Sequence, residues 1–142
     1  MNIQELRIGN FIRVQSTAGQ VAAIENETCF VAIKTSAGLI EGKYADLNIE
    51  PIYLERNMLV QCCGFDAAGI IKIDVPPRSF YLQENDGHII LMGSAPGSSY
   101  LPLIHFWDIK TLHQLQRLYN VLNSGELLPV DIELLERYFR GA

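Results

Sequence analysis

The chain has 142 residues and a formal net charge of −5, with 49% hydrophobic and 19% charged residues. This composition is typical of a soluble globular protein, and no apolar run approaches the roughly 20 residues that cross a bilayer. Lys and Arg are dispersed among a larger number of acids, which disfavours a DNA- or RNA-binding domain because phosphate neutralisation dominates nucleic-acid affinity.

Cysteine usage and the first residues indicate the compartment. Cys29 and the adjacent Cys62 and Cys63 match neither a disulfide framework nor a Cys-x-x-Cys motif. Glu5 and Arg7 occupy positions at which a signal peptide requires apolar residues. We therefore expect reduced thiols in a cytoplasmic protein that does not associate with membranes.

The first third of the chain carries short β-type segments that recur between Phe11 and Lys43. Turn-forming clusters separate them at residues 16–19, 25–27 and 36–38. With residues 49–53 as the last strand, this spacing predicts an SH3-like β-barrel or a curled antiparallel meander over residues 1–54. Closure into a barrel would remove exposed edges.

A short helix is predicted over residues 55–64. Gly64 occupies the position of a left-handed C-terminal cap, and Phe65 can fold back onto the last turn. Leu59, Cys62 and Cys63 fall on one side of this helix, so both cysteines are expected to face the core as small apolar side chains.

A β-hairpin is predicted where residues 80–83 and 88–91 flank Asp86-Gly87, because this pair adopts the positive φ angles of tight turns. Residues 93–99 then read as a flexible connection to a strand over residues 100–106. The glycines of this connection are superficially similar to a phosphate-binding loop. The Lys-Ser/Thr pair is missing, however, and Pro96 removes an amide donor.

Two helices are predicted at the C-terminal end. The first begins with Asp108 as N-cap, with Trp107 and Leu112 as a hydrophobic staple. Its apolar stripe consists of Ile109, Leu112, Leu115, Tyr119 and Leu122. The second helix spans about Asp131 to Arg140 and offers Glu133–Arg137 and Glu136–Arg140 pairs.

These elements predict an α+β fold in a single domain of residues 1–142. A β subdomain over residues 1–54 precedes an α+β subdomain over residues 55–142. The second subdomain contains the short helix, the hairpin with a further strand, and two C-terminal helices packed on these strands.

One polar constellation is a candidate for partner binding. His113, Gln116, Arg117 and Asn120 have i, i+3, i+4, i+7 spacing, so they share one side of the first C-terminal helix. An ordinary solvated face is the simpler explanation of this spacing. The mixture of imidazole, amide and guanidinium groups motivates the alternative, a hydrogen-bonding surface for a partner.

Catalytic, metal and cofactor signatures are not recognisable in the sequence. His105, Asp108 and His113 provide two histidines and one carboxylate, a ligand set that iron and related metals favour. A helix-capping role accounts for Asp108 better, and the spacing of the three residues does not match a known metal-binding motif. No Ser/His/Asp elbow or dinucleotide fingerprint is present. We therefore expect no catalytic residue, metal or cofactor.

Three blocks of the sequence carry a family resemblance. They are Glu5-Leu6-Arg7-Ile8-Gly9-Asn10-Phe11-Ile12, then Ile49-Glu50-Pro51-Ile52-Tyr53-Leu54 with a helix ending Cys63-Gly64-Phe65, and finally His113-Gln114-Leu115-Gln116-Arg117-Leu118-Tyr119 with Ser124-Gly125-Glu126-Leu127. In this order they resemble a family of small uncharacterised proteins of Bacteroidetes, often encoded in prophages and other mobile elements. The chain departs from that pattern at Tyr53, at Cys63 and at Arg117, where proline, an aromatic residue and asparagine are usual. The resemblance implies a bacterial cytoplasmic protein of mobile-element origin and no particular activity.

The function expected from these observations is that of a non-catalytic accessory or protein-interaction module. The sequence is also compatible with a homo-oligomer. The alternative is a nucleic-acid-associated protein that uses the small β-barrel. Its contacts would be Arg7, Arg13, Lys34 and Lys43. An enzyme with an unrecognised site is a third reading.

Overall fold

The computed structural model describes residues 1–35, 37–75, 78–94, 100–106 and 108–140, with the side chains of residues 78, 94 and 100–106 outside the description. The fold is α+β, as expected, with antiparallel sheets and helices. The chain forms two compact units. Residues from Met1 to Ile52 and those from Asp131 onward form the first, and Tyr53–Val130 forms the second.

The first unit contains a five-stranded antiparallel sheet in the order β4-β3-β2-β1-β5. Its strands are β1 (Phe11–Val14), β2 (Thr17–Glu25), β3 (Thr28–Thr35), β4 (Gly38–Ala45) and β5 (Ile49–Glu50). The expected meander is therefore confirmed over β1 to β4, and β5 returns to pair with β1. The sheet is not closed into a barrel, because β4 and β5 lie at its two edges.

The turn between β1 and β2 differs from the expected one. We predicted a turn over residues 16–19, whereas Gln15 and Ser16 carry the positive φ angles and β2 already begins at Thr17. Gly19 lies inside β2, where an added Cβ would collide with Val31 of the neighbouring strand. Its role is close strand packing, which turn statistics cannot distinguish from a loop.

The core of the first unit lies on one side of this sheet. It combines the 3-10 turn Ile3–Glu5, which precedes β1, with alternate residues of the strands. Its fully packed members are Ile3, Leu6, Ile12, Val14, Val21, Cys29, Val31 and Ile49. Alternation along strands is what a half-buried sheet requires, so the strand periodicity predicted these positions.

Helix α3 (Ile132–Arg140) packs against β2 and β3. We had expected both C-terminal helices to pack on the second group of strands. Asp131 caps α3 by accepting from the amides of Glu133 and Leu134, and the expected Glu136–Arg140 pair is formed at 2.7 Å. Local patterns predicted these bounds, but they carry no information about which sheet receives the helix.

The second unit contains a four-stranded antiparallel sheet in the order β6-β7-β8-β9. The strands are β6 (Ile70–Val75), β7 (Arg78–Asn85), β8 (His88–Ser94) and β9 (Tyr100–Phe106). The expected hairpin is confirmed: Asp86 and Gly87 have φ angles of 52° and 80°, and Asn85 pairs with His88. Positive φ at both central residues matches the turn whose twist suits a hairpin.

Helix α1 (Arg56–Cys62) ends as its sequence predicts. Gly64 has a φ of +76°, and the Phe65 amide donates to the Leu59 carbonyl oxygen at 3.3 Å. Cys62 and Cys63 are both buried, which confirms that the vicinal cysteines face inward. A left-handed glycine and a returning aromatic residue satisfy the last carbonyls of a helix.

Helix α2 (Leu112–Leu122) begins later than expected. Thr111 is its N-cap, and the side-chain oxygen of Gln114 accepts from the amides of Lys110 and Thr111 at 3.0 and 3.3 Å. The prediction that Asp108 caps this helix is therefore wrong. Thr-x-x-Gln is a capping-box pattern that satisfies more backbone donors than Asp108 can reach. The proposed staple residue Trp107 lies outside the described residues.

No helix among the described residues is long and apolar enough to cross a membrane.

An ion pair joins α1 to the hairpin of the second unit. Arg56 donates through Nε to Glu84 Oε2 and through a terminal nitrogen to the Glu84 carbonyl oxygen, both at 3.0 Å. The Glu84 carboxylate is almost fully buried, and its second oxygen accepts from the Gly87 amide at 2.8 Å. This carboxylate therefore holds the hairpin turn and the start of α1 together.

We expect Arg56→Met to lower the free energy of unfolding by about 2 kcal/mol, because a buried carboxylate would lose its charged donor. Urea titration measures the change. The control is Lys72→Met, which breaks an exposed pair with Asp74 at 3.4 Å and should change stability by less than about 0.5 kcal/mol. Equal effects of the two substitutions would contradict a structural role for the Arg56–Glu84 pair.

Candidate functional site

The four predicted partner-binding residues on α2 do not form a common surface. His113 and Gln116 are buried, with exposed fractions of 4% and 9%. Arg117 is exposed, and Asn120 is partly buried. The helix is therefore rotated so that its polar edge is divided between the interior and the solvent, and only Arg117 presents its full side chain outward.

Asn120 stabilises the end of α2. Its side-chain nitrogen donates to the carbonyl oxygens of Gly125 and Glu126 at 2.8 and 3.3 Å. Ser124 and Gly125 have positive φ angles of 52° and 88°, so the chain reverses here. The Asn120 amide thus satisfies carbonyls of the segment after the helix, and this contact gives the residue a structural role.

A groove runs along the exposed side of α2. Its volume is about 350 Å³, and it is lined by Asp108, Ile109, Gln114, Arg117, Leu118 and Val121. Gln114, Arg117, Leu118 and Val121 recur at helical spacing, so they follow one side of the helix. Val121, in the last turn of α2, is 72% exposed, so a large apolar side chain of the groove faces solvent.

The polar side chains of this groove differ in whether they already have hydrogen-bond partners. The Gln114 oxygen is already occupied by the N-terminal cap of α2. Arg117 forms no hydrogen bond or ion pair within the described part of the chain. Asp108 is exposed and precedes the helix. The groove therefore offers an apolar centre with a guanidinium group beside it. Periodicity missed this site because Leu118 and Val121 lie outside the expected apolar stripe.

The four bases proposed for nucleic-acid contact are all engaged within the first unit. Arg7 donates to the carbonyl oxygens of Gln4 and Leu6, and the Arg13 guanidinium lies 4.6 Å from the centre of the Phe139 ring. The remaining two lysines form ion pairs, Lys34 with Glu133 at 3.7 Å and Lys43 with Glu25 at 3.6 Å. Each lysine thus has an acid beside it, which reduces the local positive potential.

The candidate metal set of His105, Asp108 and His113 includes a side chain, that of His105, that lies outside the described residues. Over the described residues, no group of three or more His, Cys, Asp or Glu side chains is close enough to hold a metal ion. Residues 95–99 of the glycine-rich segment also lie outside the description. Gly93 and Ser94 belong to the end of β8.

The cysteines lie in settings that suppress thiolate formation. Burial, together with the neighbouring Cys62, raises the pKa of Cys63 to about 12. Burial also raises the pKa of Cys29 above its usual value. The Cys63 Sγ lies 3.9 Å from the Met58 Sδ in the interior of the second unit. A nucleophilic or redox-active cysteine requires the opposite conditions, an exposed thiol with a lowered pKa.

Comparison with models of known families, with curated proteins and with solved structures finds no match to this chain.

The raised pKa of Cys63 predicts a loss of stability in alkaline solution. The folded thiol stays protonated to about pH 12, whereas the unfolded thiol ionises near pH 9. Stability is therefore complete below pH 9 and falls as the pH rises toward 12, by up to about 1.4 kcal/mol per pH unit. Urea titrations across this range measure the slope. Cys63→Ala should reduce it, and an unchanged slope would show that Cys63 is not the group responsible.

Proposed function

We propose that this protein is a non-catalytic protein-interaction module. Its binding site is the groove along α2, and its partner is an apolar protein segment that carries a carboxylate. The observation that supports this proposal is the exposed Val121 in an apolar groove with Arg117 beside it. Large exposed apolar side chains grouped in a groove are typical of sites that bind another protein.

The chemistry of the groove favours binding over catalysis. Ile109, Leu118 and Val121 provide apolar contact area that removes no polar group from water. The described residues that line the groove include no thiol, hydroxyl or imidazole side chain, and the carboxylate of Asp108 is the one group there that could act as nucleophile or base. A rigid helix side is well suited to fix the position of a bound segment.

Arg117 determines the charge of the partner. Its guanidinium group offers forked donors that match a carboxylate in two parallel hydrogen bonds. Because it forms no ion pair within the described residues, binding a carboxylate would not have to displace an internal acid. A partner segment with apolar anchors and one Asp or Glu therefore complements the groove better than a purely apolar or a basic segment.

We also infer an SH3-like architecture for the first unit. The support is the strand order, in which β5 returns beside β1 after the meander β2-β3-β4. The 3-10 turn Asp46–Asn48 leads directly into β5. A small sheet of this kind serves as a scaffold in accessory and interaction proteins, in agreement with the proposed role.

A bacterial cytoplasmic protein of the Bacteroidetes mobile-element family remains our proposal for its origin. Its support is the three sequence blocks, whose apolar positions are largely buried. Leu6, Ile12, Ile49, Ile52, Cys63, Phe65, Leu115 and Tyr119 belong to these blocks and to the interior. Blocks that supply the core are what related proteins of variable surface would share.

The groove can be tested without a known partner. A display library of random peptides is panned on the wild-type chain and counter-panned on Val121→Asp. We expect enriched peptides to combine apolar anchors with an acidic residue, and to bind at least tenfold more weakly to Val121→Asp and to Arg117→Glu. Fluorescence anisotropy of the labelled peptides measures the affinities.

The matched control is Arg137→Glu, which makes the same charge change at an exposed position of α3. Peptide affinity should stay within about twofold for this variant, because Arg137 does not line the groove and is an exposed, screened charge. Peptides that lack an acidic residue, or that bind Arg117→Glu as well as wild type, would contradict the proposed partner chemistry. A library that yields no peptide selective against Val121→Asp would contradict the site itself.

The nucleic-acid alternative has less support, because Lys34 and Lys43 are each paired with an acid. We expect a labelled single-stranded oligonucleotide to show no binding to the wild-type chain even at low salt. The variant carrying Glu25→Gln and Glu133→Gln releases both lysines and should bind weakly, with an affinity that falls as salt is added. Salt-sensitive binding by the wild type would instead favour the nucleic-acid function.

A further inference from the structure

Strand β4 is a long, regular sheet edge with exposed apolar side chains. Its ladder with β3 runs from Gly38 to Ala45 without a register shift, and its other side has no strand neighbour in the described sheet. Leu39 and Ile40 are 66% and 53% exposed. Such an edge presents unpaired backbone donors and acceptors and is a template for another strand.

The other sheet edges have features that oppose pairing. Strand β5 has only two residues, which is too short a template. Strand β6 buries Ile71 and Ile73 within its own unit and exposes Lys72 and Asp74. Strand β9 contains Pro102, which has no amide donor. Strand β4 has no proline or bulge and, unlike β6, carries large exposed apolar side chains, Leu39 and Ile40, so it is the least protected of these edges.

We propose that β4 pairs with β4 of a second copy of this chain, antiparallel, so that two sheets join across a two-fold axis at Gly42. This assembly is separate from the α2 groove and does not depend on it. A symmetric pairing uses the same surface on both copies and therefore closes as a dimer.

The charge pattern of β4 selects this register. Only alternate residues of an edge strand direct their N–H and C=O groups outward. In a symmetric antiparallel pair the two-fold axis must therefore pass beside a residue, which then lies opposite its own copy, and not between two residues. Centring on Gly42 places Glu41 directly opposite Lys43 of the second copy, twice in the dimer. Centring on Glu41 or Lys43 would instead place like charges opposite each other, which is destabilising.

The register centred on Gly42 also brings apolar side chains of the two β4 strands opposite each other. Ile40 would lie opposite Tyr44 of the second copy, and Leu39 opposite Ala45. A Cβ placed on Gly42 would lie only 2.8 Å from the Tyr44 ring, so this ring covers the centre of the strand. Pairing would therefore bring the exposed Ile40 against an aromatic ring, a favourable cross-strand combination.

The present partner of Lys43 does not prevent this exchange. Lys43 lies 3.6 Å from Glu25, and both side chains are more than half exposed. Exposed pairs of this kind contribute little to stability. Glu41 forms no ion pair among the residues that the structure describes. Facing Glu41 of a second copy would give Lys43 a partner in a setting less accessible to water.

A charge-exchange experiment tests the dimer on the full-length chain. Sedimentation velocity over a concentration series should show a monomer–dimer equilibrium for the wild type. Glu41→Lys and Lys43→Glu each place like charges opposite one another and should weaken self-association about tenfold or more. The double variant E41K/K43E restores opposite charges and should recover the wild-type affinity.

Mixing the two single variants provides the sharpest test. Glu41→Lys has two basic residues on β4 and Lys43→Glu has two acidic ones, so a heterodimer places opposite charges together at both positions. We expect the mixture to form dimers that neither variant forms alone. Lys72→Glu on β6 is the matched control and should leave self-association unchanged. Circular dichroism melts verify that each variant is folded.

Hydrogen exchange locates the interface independently. The amides of residues 39–45 should exchange more slowly as the protein concentration rises, while those of β6 should not change. A chain that is monomeric at all concentrations would overturn the proposal. A dimer that is insensitive to the charge exchange, or one lost on Val121→Asp, would also overturn it and would assign the contact to another surface such as the α2 groove.

Discussion

The pairing of β1 with strands on both of its sides is the constraint on which the first unit depends. β1 has four residues, yet it forms ladders with β2 and with β5. Its buried residues Ile12 and Val14 thereby enter the core together with Ile49 of β5. With β1 paired on both sides, β4 and β5 are the two edges of the sheet.

Helix α3 joins this unit from a distant part of the sequence. The helix follows the second unit in the sequence but packs on β2 and β3, with the Phe139 ring beneath the Arg13 guanidinium. The buried Leu135 supplies its apolar contact. The first unit is therefore completed by a segment from the far end of the chain. Such long-range closure lowers conformational freedom at the chain end and adds contacts of high sequence separation.

Features with a local physical cause could be predicted from the sequence. Asp86-Gly87 specifies its turn because two adjacent positive φ angles favour these residue types. Gly64 ends α1 for a similar reason. Asp108 was assigned as a cap from its residue type and the neighbouring staple, whereas in the structure the Gln114 side-chain oxygen accepts from the amides of Lys110 and Thr111 at the start of α2. The sheet that receives α3 has no local signature, so its position could not be read from periodicity.

In the candidate site, too, local sequence spacing predicts one property of the side chains and not another. Helical spacing placed His113, Gln116, Arg117 and Asn120 on one side of α2, but spacing does not specify how far a helix is rotated toward its core. A small rotation buries His113 and Gln116 and exposes Val121. The rotation is fixed by Leu112 and Leu115, which are fully buried.

The two exposed apolar surfaces, the α2 groove and the β4 edge, differ in the arrangement of their charged side chains. Arg13, Lys34 and Lys43 of the first unit each have a ring or an acid beside them, whereas Arg117 of the second unit has no such partner among the described residues. On β4 the opposite charges of Glu41 and Lys43 lie on the same strand, so they complement an inverted copy of themselves. An unpaired cation selects a partner of different composition, while a self-complementary pair selects an identical one. The partners that we propose for the two surfaces therefore differ because their charges are arranged differently, although both surfaces expose apolar side chains.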